Sequence, residues 1–385
     1  MRYRFSFAAI FLSVLAIGAG LLVATAQQAG RAAEGEYQWN LPRGFPKPLV
    51  PADNLMSGVK VELGRYLFYD KRLSGNSTES CGTCHEQDLA FTDGKARAMG
   101  STGELHPRGS MSLVNVAYAA VLTWSDPNER SLEHQALGPM FNKQPVELGT
   151  NEDDLISTIR SDPKYSKMFA VAFPQDSDPF TIDDVTKAIA AFERTIIAGN
   201  SPYDRYHYGG VPDAISESAK RGEVLFFSQS LSCFRCHSGF NFSDATTFEG
   251  HTLDKVPFHN TGLYNLSREF SYPSDNLGTY EHTSIPLDVG KFKVPTLRNI
   301  AITAPYMHDG SAKTLGEVLD HYAAGGRAIT RGADIGDGSR NPNKDPLVHG
   351  FALTRENRAD LIAFLNSLTD PGILHNSQFD DPWRR

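Results

Sequence analysis

Cysteine is scarce in this chain, with four among 385 residues, and tryptophan scarcer still at three. No run of basic residues occurs, and the balance of 37 Lys and Arg against 45 Asp and Glu gives a formal charge of -8. That balance argues against nucleic acid and anionic lipid as partners. Alternating strand patterns are rare. A second apolar run after the first 26 residues is also missing, which excludes a polytopic membrane protein. With 40% hydrophobic and 21% charged residues, disorder is excluded as well. At roughly 150 residues per domain, the length fits two domains, each large enough for its own core.

The single long apolar run is Phe5 to Val23, preceded by Arg2 and Arg4 and followed by Ala24-Thr25-Ala26. A basic start, an apolar stretch and a small-residue site read as a secretory signal peptide over residues 1–26. The alternative is an uncleaved anchor helix. Cleavage removes two Arg and no acid, leaving a mature charge of -10. The expected compartment is extracytoplasmic, the periplasm for a bacterial chain, with no membrane association after cleavage.

The four cysteines fall into Cys81-Gly82-Thr83-Cys84-His85 and Cys233-Phe234-Arg235-Cys236-His237. C-x-x-C-H reads as c-type haem attachment, with two thioethers and the adjacent His on the iron. Disulfides, a redox C-x-x-C and a zinc site are the alternatives. A disulfide framework gives no reason for His to follow the second Cys twice, and zinc ligands have to converge. Two covalent haems therefore account for every cysteine.

The approaches to these motifs repeat. Gly64-Arg65-Tyr66-Leu67-Phe68 then Leu73-Ser74 precede the first, and Gly222-Glu223-Val224-Leu225-Phe226 then Leu231-Ser232 precede the second. This predicts one amphipathic helix per haem crevice and a mainly α fold of two tandem cytochrome c-like domains. The expected boundaries are residues 36–203 for a peroxidatic haem domain and 204–375 for an electron-transfer haem domain. Further helices are expected from Thr181 through Ile196, from Thr314 to Gly325-Gly326, and along Leu361, Ile362, Leu365 and Leu368. Pro202 to Pro212 reads as a linker and Gly332 to Pro346 as a surface loop.

Function depends on the face of each iron opposite the proximal His, because an open face admits peroxide and a filled one makes an electron carrier. His106, His134, Met140, His259, Met307, His308, His321 and Tyr322 are the candidate ligands. Composition does not choose among them.

The stretches Lys293-Val294-Pro295-Thr296-Leu297-Arg298-Asn299, Pro305-Tyr306-Met307-His308-Asp309-Gly310 and Ser131 to Pro139 resemble the bacterial di-haem cytochrome c peroxidase and MauG family. Gly103 to Arg108 and Pro145 to Gly149 are most similar to its MbnH-type branch. The resemblance implies His85 on the first iron and His237 with Tyr322 on the second. Tyr322 stands fourteen residues after His308, where the peroxidases carry Met and MauG carries Tyr. Met307 is the rival ligand. The loop His of the classical peroxidases has no counterpart in register, since Gly109 replaces the associated Asn and Ser101 falls at the His position.

The resemblance further implies Gln135 and Pro139 as distal-pocket residues, Glu147 as the acid–base group and Trp124 as the relay between haems. Glu147 follows Pro139 at a longer spacing than in MauG. Read without the resemblance, Glu147 is a solvated loop acid and Trp124 a core residue. A calcium ion is implied, held by the Thr303 and Pro305 carbonyls. The implied activity uses H2O2 to form a high-valent, bis-Fe(IV)-like state that oxidises a residue on a partner protein, a Trp converted to kynurenine in the MbnH-type branch. One alternative is a cytochrome c peroxidase detoxifying H2O2 with electrons from small redox proteins. Another is a non-catalytic di-haem electron carrier.

Overall fold

The computed structural model describes residues 37–266 and 272–384, so the expected signal peptide lies outside the described residues. The helices are α1 (Gly58–Tyr69), α2 (Cys81–Cys84), α3 (Leu132–Gln135), α4 (Leu137–Phe141), α5 (Glu152–Ser161), α6 (Pro163–Ala172), α7 (Ile182–Glu193), α8 (Pro202–His207), α9 (Glu217–Phe226), α10 (Tyr280–Thr283), α11 (Leu315–Ala324) and α12 (Arg355–Ser367). Two-residue strands β1 (Ala328–Ile329) and β2 (Gly336–Asp337) pair antiparallel. The expected mainly helical architecture is observed, and among the described residues no helix is long and apolar enough to cross a membrane.

The repeated approach sequence builds the same helix crossing twice. Residue Gly64 on α1 lies against α7 so closely that a Cβ would overlap the Ala188 carbonyl and crowd Phe192. Its counterpart Gly222 on α9 lies against α12, where a Cβ would overlap the Asp360 carbonyl and crowd Phe364. Glycine permits both backbones to touch. Around the first crossing, Leu63, Leu67 and Phe68 pack with Tyr165, Phe169, Ile189 and Phe192. Around the second, Phe226 packs with Leu319, Leu361, Phe364 and Leu365. The end of the chain returns to the first core with Ile373 and Phe379, and the Tyr69 hydroxyl donates to the Phe379 carbonyl at 2.7 Å.

Side-chain caps fix the helix starts as expected. Thr181 Oγ1 accepts from the Asp184 N–H at the head of α7, and Thr314 Oγ1 from the Glu317 N–H at the head of α11. Gly325, at φ 71°, closes α11 in the left-handed conformation. The expected linker at Pro202 to Pro212 instead contains helix α8. Ser201 and Asp204 form a reciprocal capping box and Pro202 sits in the first turn, so local capping outweighs the Gly and Pro content that suggested a linker. The Gly332 to Pro346 stretch, expected as a surface loop, contributes β2 and a 3₁₀ turn at Gly338–Arg340, with Gly338 and Asn341 buried.

Candidate active site

Each C-x-x-C-H motif folds into one tight turn ending on its His. His85 N–H donates to the Cys81 carbonyl at 3.0 Å, and His237 N–H to the Cys233 carbonyl at 2.9 Å. The chain then doubles back through a phenylalanine at positive φ, 60° at Phe91 and 50° at Phe242. Such angles are unusual for a bulky residue. They aim the Phe91 carbonyl at His85 Nδ1 (2.9 Å) and the Phe242 carbonyl at His237 Nδ1 (3.1 Å). A carbonyl only accepts, so Nδ1 carries the proton and Nε2 keeps its lone pair. Burial lowers both imidazole pKa values and keeps the rings neutral. This is the arrangement a metal-ligating His requires.

The thiols separate the haem reading from the redox one. Burial pushes Cys84 and Cys233 up to about 12 and raises Cys81 as well. A redox C-x-x-C needs a depressed thiol pKa. Cys236, Asp244 and His259 do cluster within metal-binding range. However, both ring nitrogens of His259 are engaged, Nδ1 with Asp345 at 2.5 Å and Nε2 with Asp244 at 2.8 Å. Burial opposes charge on this ring, but hydrogen bonds to Asp244, Cys236 and Asp345 outweigh it and raise the pKa to about 11. An imidazolium donates at both nitrogens and cannot bind zinc.

In the first half, the structure brings the Glu147 segment alongside Pro139. After α4 the chain reverses, and Leu148 N–H donates to the Pro139 carbonyl while Thr150 N–H donates to Met140, both at 2.9 Å. This sets the Glu147 backbone beside Pro139, while Gln135 ends α3 four residues earlier. Ser101 N–H holds the Glu147 carbonyl at 2.7 Å, and Gly75 N–H ties Leu148 to the loop that leads into Cys81. The Glu147 charge acts on both Cys81 and Cys84. Glu147 is a half-buried loop residue, and burial raises its pKa to about 6.

Sequence reasoning missed how α3 is held. Glu133 pairs with Arg194 at 2.7 Å and accepts from Asn54 at 2.6 Å. Next to Arg194, the buried Glu193 has an Oε2 without a partner, and burial raises its pKa to about 8. Its charge also acts on Cys81. The signal was present as a charged Glu-Arg pair interrupting the apolar stripe between Phe192 and Ile196.

In the second half, an apolar cavity of about 290 Å³ is walled by Cys233, Cys236, His237, Met307, His308 and Tyr322. Burial raises the Tyr322 pKa, with the Cys236 and Cys233 charges adding to the effect. Among the described residues, its hydroxyl has no hydrogen-bond partner. His308 stacks on Phe292 at 3.6 Å, and burial lowers it to about 3. His259 also lines this cavity, and the remaining candidate ligands are placed elsewhere. His321 Nε2 donates to the Thr261 carbonyl, His134 pairs with Glu129, His106 Nδ1 accepts from Arg108 N–H, and Met140 is buried in the first core.

Trp124 shares that cavity with Thr92 to Lys95, which follow the His85 loop, so one space touches residues of both halves. Its indole N–H donates to the Gly109 carbonyl at 2.9 Å. Thr303 and Pro305 also line the cavity, and among the described residues neither carbonyl accepts a hydrogen bond. Both remain available to a cation, although the Gly109 carbonyl is engaged by Trp124.

The family model described as di-haem cytochrome c peroxidase matches residues 59–211. The methylamine utilization protein MauG of Methylorubrum extorquens is 33% identical, covering 91% of this chain and 88% of its own. The cytochrome c551 peroxidase of Pseudomonas aeruginosa is 30% identical, covering 80% and 78%. A crystal structure of a MauG-like protein associated with microbial copper homeostasis superposes with a TM-score of 0.88 at 43% identity, covering 90% of this chain and all of that one. The chain belongs to the di-haem cytochrome c peroxidase and MauG family. It is an oxidoreductase of peroxidase type, which sets aside the non-catalytic carrier. The copper-homeostasis structure agrees with the MbnH-type resemblance.

Proposed function

We propose that this chain is an exported, periplasmic di-haem enzyme that uses H2O2 to oxidise a residue, a tryptophan, on a docked partner protein. The carrying observation is Tyr322, which lines the cavity of Cys233, Cys236 and His237 and whose hydroxyl has no hydrogen-bond partner among the described residues. The site residues fit two c-type haems. Cys81 and Cys84 would hold the first with His85 on its iron, and Cys233 and Cys236 the second with His237 and Tyr322. When bound, the haems supply peroxide reduction at one iron and storage of oxidising power across both.

Glu147 takes the proton from the near oxygen of peroxide and returns it to the departing one, a role its raised pKa suits. Gln135 donates a hydrogen bond to the bound peroxide, and Pro139 keeps the pocket narrow. Trp124 relays the oxidising equivalent between the halves. Thr303 and Pro305 offer free carbonyls for calcium, a hard ion that accepts such ligands.

A second reading, peroxide scavenging with electrons from small redox proteins, draws on Met307, which lines the same cavity. The two are separated by adding H2O2 to the holoprotein with either a candidate partner or reduced cytochrome c. Oxidation of a partner tryptophan, seen as a mass change and lost in Tyr322→Met, is expected. Fast turnover with cytochrome c and no partner modification would favour scavenging.

A further inference from the structure

Lys293 is a buried cation that the mechanism above leaves unused. It is among the residues that line the cavity of Cys233, His237 and Tyr322 and is 6% exposed. An ammonium has three N–H groups. Here one donor is satisfied, by the Val121 carbonyl at 3.0 Å. Lys293 N–H donates to the Trp124 carbonyl at 2.9 Å, so the residue is tied to the Trp124 segment at both ends.

Among the described residues, no carboxylate pairs with this charge. Burial alone lowers its pKa to about 7. An unpaired ammonium in an apolar cavity is costly unless an anion joins it. The other cations on the wall differ. Arg298 is paired with Asp204 Oδ1 at 2.6 Å and donates to the Phe240 carbonyl, and Lys95 is exposed. A haem brings two propionates, which need cations where water is excluded.

We propose that Lys293 is the counter-ion of a propionate on the second haem and anchors that carboxylate beside Trp124. The inference rests on the reading that this cavity seats the second haem, and it makes Lys293 a positioning residue. Its charge would favour the reduced state of that haem.

The test compares Lys293→Met and Lys293→Arg in the holoprotein, with both covalent haems verified by mass. Potentiometry and resonance Raman are the readouts, and neither involves peroxide nor a partner. In Lys293→Met, the second haem's midpoint potential should fall and one propionate bending mode should shift, with the first haem unmoved. Lys293→Arg should stay near the native values. If both variants shift alike, Lys293 merely packs the Trp124 segment and the proposal is overturned. Unchanged potential and propionate mode in Lys293→Met overturn it equally. If Lys293→Met fails to load haem, Lys293→Gln is read against the same criteria. Absence of partner oxidation would sink the proposed function without affecting this result.

Discussion

The two halves share one apparatus for presenting a histidine and differ in what faces it. The contact of Gly64 on α1 with α7 corresponds to that of Gly222 on α9 with α12, and the Phe91 carbonyl at His85 to the Phe242 carbonyl at His237. Around Cys81 and Cys84, however, stand the carboxylates Glu147 and Glu193, both with raised pKa values. Around Cys233 and Cys236 stands an apolar wall carrying Met307 and Tyr322. The common part prepares a neutral, oriented imidazole. The difference lies in the segments laid over it, carboxylates on one side and the Met307 and Tyr322 wall on the other.

Four sets of substitutions sharpen or break this contrast, the largest effect first. Glu147→Gln should slow the peroxide reaction by ~10²–10⁴-fold in stopped-flow spectroscopy and leave the second haem's spectrum intact. Glu147 acts as a base only when ionised, so the native rate should fall as pH drops below about 6 and level off above it. The inflection should vanish in the variant. An equal effect on both haems would erase the division of labour.

Each half also contains a buried arginine pair, Arg194 with Glu133 and Arg298 with Asp204, at 2.7 and 2.6 Å. Replacing either arginine by Ala leaves a buried carboxylate uncompensated and should cost ~3–5 kcal/mol in denaturant titrations. Arg194→Ala should also slow the peroxide reaction, because Glu133 sits on the helix that carries Gln135, whereas Arg298→Ala should not.

Gly64→Ala and Gly222→Ala test the shared part. Each forces two helices apart and should cost ~1–3 kcal/mol, visible as a lower Tm. Very different losses would argue that the two crossings are not equivalent. Smallest of all, Thr181→Ala and Thr314→Ala each remove a helix cap and should cost ~1 kcal/mol.

What was legible in the sequence is what local spacing encodes. The C-x-x-C-H turns, the Gly-x-x-Leu-Phe helices and the caps at Thr181 and Thr314 depend on neighbours a few residues away. The segment Pro202 to Pro212 misled because its turn-forming residues serve as a helix start. The proposed distal set came only from resemblance, since the Glu147 segment meets Pro139 by a chain reversal that no periodicity marks. Contacts between distant segments were not legible. Glu133 with Arg194, Asn54 with Glu133, and Lys293 with Val121 bring together residues 61 or more positions apart. His308 and Met307 share the Tyr322 cavity, so spacing alone left the ligand choice open.

The central claim is a phenol oxygen on the second iron and an open face on the first. EPR of the oxidised holoprotein tests it directly. The account predicts one high-spin signal from the first haem and one low-spin signal of the oxygen-ligated kind from the second, the latter changing in Tyr322→Met. Two low-spin signals, or a second-haem signal indifferent to that substitution, would contradict it.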